Sequence, residues 1–217
     1  MRIVAICAAS LLAACTFEGA PVGGDDPIEE FDERTLTFEF GDDYTGVFDT
    51  EVDEDNPALD RSALDQMRLD TSTGNSQGRV MSLLRFDEIF GDGPGQVPAN
   101  AQVRLATLSL TVVNRGDDAG FLCDMVRDWQ PSTAWDGFGT DGPQALSDYD
   151  PTPIANIPGE AELHELDVRT SVTSWHTGTA ANHGWILLPA SDSGIAVATS
   201  EAESGRPSLE LTIRVPK

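Results

Sequence analysis

The chain has 217 residues, 37 of them acidic against 13 basic, and a formal net charge of −24. A field of that sign repels phosphate backbones and anionic headgroups, which sets nucleic-acid binding aside. Three cysteines, Cys7, Cys15 and Cys123, are too few and too scattered for the disulfide framework of a small stapled domain.

Residues 1–14 place a single positive charge, Arg2, before a mostly apolar run from Ile3 to Leu12 and two small alanines. That is the plan of a secretory signal peptide, and the run is too short to span a bilayer. Cys15 follows Leu12-Ala13-Ala14 directly. The arrangement resembles the lipobox of bacterial lipoproteins, which implies cleavage before Cys15, acylation of its thiol and a membrane held through a lipid anchor. Two or more acyl chains anchor stably because each buried methylene contributes about 0.8 kcal/mol. The residue after the cysteine is Thr16 rather than aspartate. The resemblance therefore implies the outer membrane of a bacterial cell envelope as the location.

Residues 15–34 follow as a lipidated cysteine and an acidic linker, "CTFEGAPVGGDDPIEEFDER", rich in glycine, proline and carboxylates. Such a composition cannot bury a core and reads as a disordered tether. Residues 16–60 hold 16 acids against one base, Arg34.

From residue 35 to residue 217 the pattern is that of strands. "TLTFEF" (35–40) alternates, "GVFDTEV" (46–52) follows a turn, and "RVMSLLRF" (79–86) is nearly continuous apolar sequence. "VRLATLSLTVV" (103–113) is long and β-branched at its end, and "PSLELTIRV" (207–215) sets Leu209, Leu211, Ile213 and Val215 on one face. Glycine- and proline-rich turns separate them, so the expectation is an all-β, jelly-roll-type sandwich. One segment changes period: Val168, Val172 and Trp175 fall at helical spacing, with Asp167 or Thr170 to cap the start and Gly178 to stop the end. A short helix covering one open end of the sandwich is expected there, with Trp175 in the core. Cys123, beside Asp124, reads as a buried strand thiol rather than a nucleophile.

Catalytic patterns are absent from the sequence: it contains no G-x-S-x-G elbow, no phosphate-binding P-loop and no H-E-x-x-H. His164, His176 and His183 have no zinc-ligand spacing. Dense carboxylates leave structural calcium open, but no calcium-loop motif supports it, and no other cofactor is implied. The longest irregular stretch, residues 128–150, carries aromatic and acidic side chains together. Sugar rings pack C–H faces on aromatic rings and present hydroxyls to carboxylates, which makes Phe138, Tyr149, Asp136 and Asp141 the candidate carbohydrate-binding residues. The competing reading has Trp129 and Trp135 pinning this loop to the core.

Several blocks, in order, resemble one family: "SLLRFDEIFG", "QVPANAQVRLATLSLTV", "VRDWQPSTAW", "HELDVRTSVTSWHTGTAANHGWILL" and "TSEAESGRPSLELTI", with "GVFDTEV" ahead of them. They look like the DNRLRE domain, the type of carbohydrate-binding module family 96. The resemblance implies a non-catalytic β-sandwich associated with polysaccharides, alginate among them. It maps onto Leu83 to Asp87, Trp129, Trp135, Trp175, Arg206 and Pro207 as fold-determining positions. This chain departs from the pattern at Asn182-His183-Gly184, where a histidine stands in place of a larger aromatic residue, and in its net charge. The function expected is a cell-envelope lipoprotein presenting a carbohydrate-binding-like sandwich to a polysaccharide or envelope glycan. The alternative is a structural or adhesive envelope protein whose sandwich binds another protein.

Overall fold

Alternation of apolar and polar residues creates the first layer. In β11 (Ser208–Pro216) Leu209, Leu211 and Ile213 are buried while Glu210 points out, and in β5 (Gln102–Asn114) Ala106, Leu108, Leu110 and Val112 repeat the pattern. Leu211 is opposite Leu36 of β1 (Phe31–Glu39) on one side and Ala106 of β5 on the other, so three inward rows align. β8 (Leu163–Asp167) pairs with the far edge of β5 and completes the layer β1-β11-β5-β8.

The computed structural model describes residues 30–217, apart from residues 42, 72–77, 117–119 and 191. The signal segment, Cys15 and the linker through residue 29 lie outside the described residues. No helix among the described residues is long and apolar enough to cross a membrane.

The second layer is built around β4 (Arg79–Phe86), whose apolar run is buried on both faces. Leu84 and Phe86 join the main core between the layers, while Met81 and Leu83 join a second cluster on the opposite face. β2 (Val47–Asp53) flanks β4 on one side, and β9 (Trp185–Pro189), β6 (Gly120–Asp124) and β7 (Ala155–Ile157) extend the layer on the other. β3 (Gln66–Thr71) and β10 (Ile195–Ala198) connect the layers, because β3 pairs with β4 and β10 while β10 pairs with β5. The result is one eleven-stranded antiparallel sheet folded into an all-β sandwich, with one α-helix, α1 (Arg169–His176).

Two boundaries move from their expected places. β1 begins at Phe31, four residues inside the segment expected to be linker, because Phe31 to Arg34 pair with Pro216 to Ile213 and Arg214 Nε meets Glu33 Oε2 at 2.8 Å. Backbone pairing supplies those partners whatever the side chains are. The helix starts at Arg169 with Val168, not Asp167 or Thr170, at its N-cap and no side-chain cap; Asp167, one residue earlier, accepts the Arg169 N–H at Oδ1 at 2.9 Å, and Thr170 lies within the first turn. Val172 and Trp175 face the core as expected.

β2 carries an unusual burden. Asp49, Glu51 and Asp53 share one face and are 3 %, 1 % and 5 % exposed. Glu51 receives both the backbone N–H and the guanidinium of Arg68, Asp53 meets Arg61 Nη2 at 2.6 Å, and Asp49 accepts the Ser200 backbone N–H at 2.7 Å. Asp49 has no guanidinium, and burial pushes its carboxyl up to about 6, opposed by the Ser200 donors and reinforced by Glu201.

This shift has a definite sign. Between about pH 4 and 6 the native state holds a proton on Asp49 that the unfolded chain has released, so its contribution is full at low pH and lost as pH rises. Asp49→Asn should therefore gain about 2 kcal/mol relative to the parent between pH 4 and pH 7, since most of the gap between the two pKa values falls in that window. Urea unfolding at each pH measures the difference, and a constant difference would refute the assignment.

Candidate functional site

The loop expected to carry the binding residues folds onto the outer face of the second layer. Trp129 (3 % exposed), Trp135 (1 %) and Phe138 (8 %) pack with Val52, Met81, Leu83, Cys123, Met125 and Ile186 into the second core cluster. Phe138 also lies under the Arg127 guanidinium, 5.3 Å from its ring centroid, so it has no free face for a sugar ring. Tyr149 is half-buried against the same cluster. Asp136 and Asp141 are exposed, and their backbones tie the loop down: Asp136 N–H donates to the Pro57 carbonyl, and the Asp141 carbonyl accepts from Arg79 and Gln144. The four candidates therefore do not converge, because the aromatic rings turn inward to cover β4 while the acids turn to solvent.

Arg85 is what fixes this loop. It is buried on the outer face of β4, with Nε 2.7 Å from Asp87 Oδ1 and Nη1 donating to Asp128 Oδ1 and to the Trp129 carbonyl at 3.0 and 2.9 Å. Its guanidinium lies 5.0 Å from the Trp129 ring and 5.7 Å from that of Phe48. Trp129 in turn donates from Nε1 to the His183 carbonyl at 2.8 Å, which anchors the turn leading into β9.

That turn borders a pocket of about 340 Å³ at the helix-covered end of the sandwich. Asp124, the last residue of β6, lines it together with Met125, Val126, Asp150, Trp175, Ala180, Ala181 and His183. The Asp150 N–H donates to the Asp124 carbonyl at 2.9 Å, and Met125 N–H to the Gly184 carbonyl at 3.0 Å. The turn is held by Asn182, which donates to the Phe86 carbonyl at 2.7 Å and accepts the Gly184 N–H at 3.1 Å. Gly184 has a φ of 70°, and a Cβ there would strike the Leu84 carbonyl, so only glycine fits. Trp175 is tilted against Trp185 at 4.8 Å, and the small Ala180 and Ala181 leave the space open.

The polar groups of the pocket differ in setting. Burial pushes the Asp124 carboxyl up, the Ser171 hydroxyl opposes this, and the charge of Asp150 adds to it. Asp150 is exposed and held below its ordinary value by the backbone N–H and hydroxyl of Thr152. Asp124 Oδ1, Ser171 Oγ and Trp185 Nε1 are all buried; the Ser171 hydroxyl sits against the Asp124 carboxyl, and Trp185 Nε1 has no hydrogen-bond partner within the protein. They are neighbours, since Trp185 is the cross-strand partner of Asp124 and Ser171 acts on its carboxyl. His183 Nδ1 lies 3.7 Å from Asp128 Oδ1.

An apolar and aromatic wall with a few convergent polar groups is the composition of a small-ligand site. Two other concavities, under the Gly91–Gln96 turn and beside Arg61 and Arg68, have no aromatic lining, and the guanidinia of the second are committed to Glu51 and Asp53. The Cys123 thiol is buried and pushed up to about 11, which suits packing rather than nucleophilic chemistry. Among the described residues no group of three or more histidine, cysteine or carboxylate side chains is placed to hold a metal ion.

Trp175 and His183 were visible in the sequence, as a core residue and a turn residue. Asp124, Val126 and Asp150 were not; the signal was the pair of small residues Ala180-Ala181 between the helix stop and the Asn182 turn. No family model matches the chain, and no curated protein matches it.

Phe138→Ala should lower stability by about 3 kcal/mol because the ring fills the second core cluster. Asp136→Asn and Asp141→Asn should each stay within about 0.5 kcal/mol. Chemical denaturation of the three variants separates a core aromatic from a surface one: a Phe138→Ala protein as stable as the parent would contradict its packing role.

Proposed function

We propose that this chain is a lipid-anchored cell-envelope protein whose β-sandwich binds a carbohydrate in the pocket below the end of α1, without catalysing a reaction on it. The observation that carries the reading is that pocket: Trp175, Met125 and Val126 supply an apolar wall, and Asp124, Asp150 and His183 supply polar groups for hydroxyls. Its volume suits one or two sugar rings.

Sequence supports the remainder. Cys15 after Leu-Ala-Ala supports the anchor, and the ordered blocks from Ser82 to Ile213 support a DNRLRE-type module. Residues of those blocks meet in space, since Arg85 of "SLLRFDEIFG" reaches Asp128 and Trp129 of "VRDWQPSTAW", and Trp129 reaches the turn of "AANHGWILL". Contacts of this kind support a shared structural role for the blocks.

Screening the purified full-length protein on a glycan array should give binding to a defined sugar class. Ala181→Trp fills the pocket from an exposed position without touching the core and should weaken that binding by at least about tenfold. Silence on every glycan, or binding indifferent to Ala181→Trp, would remove the assignment. The anchor has its own test: mass spectrometry should find an acylated Cys15 N-terminus, and Cys15→Ala should lack the acyl mass and leave the membrane fraction.

A further inference from the structure

We infer that the pocket selects a glycan carrying an amino sugar with a free ammonium group, held by Asp124 and Asp150, rather than a uronate or a fully neutral sugar. The inference rests on the carbohydrate-binding reading above and narrows its substrate class.

The lining decides the sign of the ligand. Two carboxylates, Asp124 and Asp150, face the pocket, and among the described residues no lysine or arginine lines it. Arg85 reaches the neighbouring Asp128, but it is buried and its guanidinium is spent on Asp87, Asp128 and the Trp129 carbonyl. A uronate would therefore bring a third carboxylate to two existing ones with no cation to balance it. Like charges set together in a partly desolvated site repel strongly.

An ammonium reverses each of these terms. Asp124 and Asp150 are locked side by side, because the Asp150 N–H donates to the Asp124 carbonyl at 2.9 Å. Their charges oppose one another across the pocket, and a cation between them relieves that opposition. An ammonium carries three donors and no acceptor, which matches carboxylate oxygens. Among the described residues no lysine or arginine acts on the partly buried Asp124 carboxylate, so an ammonium in the pocket would be its first cationic partner.

The rest of the ring finds complementary surface. Trp175, Met125 and Val126 meet C–H groups. Behind the pocket wall, the Ser171 hydroxyl acts on the Asp124 carboxyl, and Trp185, the cross-strand partner of Asp124, is fully buried. The net charge of −24 additionally draws cations toward the surface.

The test titrates the full-length protein, near neutral pH and at moderate salt, with length-matched oligomers of glucosamine, N-acetylglucosamine and mannuronate, and with oligolysine as a charge-only control. The glucosamine oligomer should bind at least about tenfold tighter than its N-acetylated counterpart, the scale of one charge-assisted hydrogen bond, and mannuronate should not bind. Asp150→Asn, an exposed substitution that keeps the turn at Thr152, should remove most of the preference for amine over acetamide. Ala181→Trp should abolish binding of the glucosamine oligomer.

Equal or tighter binding of the N-acetylated or mannuronate oligomer, still blocked by Ala181→Trp, would overturn this inference and leave the carbohydrate-binding reading intact. Oligolysine binding as tightly as glucosamine, or glucosamine binding insensitive to both substitutions, would also overturn it by assigning the affinity to the overall field. No binding of any oligosaccharide would overturn both readings.

Discussion

The buried guanidinium of Arg85 is the interaction on which the outer half of the molecule depends. Removing a charge from water costs several kcal/mol, and such a group persists only when its donors are occupied. Here Asp87, Asp128 and the Trp129 carbonyl accept from its two terminal nitrogens, the Asp87 carboxylate lies against Nε, and the rings of Phe48 and Trp129 lie near its faces. Because these partners come from β2, β4 and the long loop, one side chain sets the path of twenty residues. Those residues bury Trp129, Trp135 and Phe138 over Met81 and Leu83, giving β4 a second apolar face to cover. The same contact positions the Trp129 indole to hold the His183 carbonyl, so the wall of the pocket is an indirect product of Arg85.

Negative charge is distributed with a structural logic of its own. β2 is an edge strand, pairing with β4, and an open edge invites pairing with another chain. Asp49, Glu51 and Asp53 point their carboxylates inward along that edge, where a second strand could satisfy them only by displacing Arg61, Arg68 and the Ser200 N–H. Burying three acids costs stability, and Asp49 shows the cost most clearly since no guanidinium offsets it. At one end of the sheet path β1 carries Asp32, Glu33 and Arg34, which blunt that edge in the exposed manner instead.

Much of this fold was legible because its longest strands bury one face. β5, β11 and the inward rows of β1 follow a strict two-residue period, and the α1 segment breaks that period over just enough residues to announce a helix. Phe31 to Arg34 escaped because their composition is that of the linker, and pairing with β11 is a property of the backbone. The short strands β7 and β10, three and four residues long, hold too few positions to show any period. The four candidate residues were grouped in the sequence and separate in the structure for a related reason. Aromatic residues in a loop look the same in sequence whether they face solvent or a sheet, and the choice was made by Arg85 some forty residues earlier. Composition alone found the loop but could not orient Phe138.

The pocket sits where three chain endings meet, and this explains why it combines an apolar wall with carboxylates. β6 stops at Asp124, α1 stops before Gly178 with a φ of 70°, and the turn at Gly184 starts β9. Within β6 the residues alternate between cores, Leu122 in the main one and Cys123 in the second, so Asp124 is the first position on the main-core side that reaches an open end. A polar residue is tolerated there because Ser171 of the first helical turn acts on its carboxyl, while the small Ala180 and Ala181 beyond the helix leave the space beside it open. Long-range attraction from an acidic chain speeds the approach of any cation but selects none. Selection has to come from the few atoms at that corner, where Asp124 and Asp150 are held together by a backbone bond rather than by a bridging guanidinium. Elsewhere in the sandwich paired acids are given an arginine, as Glu51 and Asp53 are; at this corner they face the pocket instead.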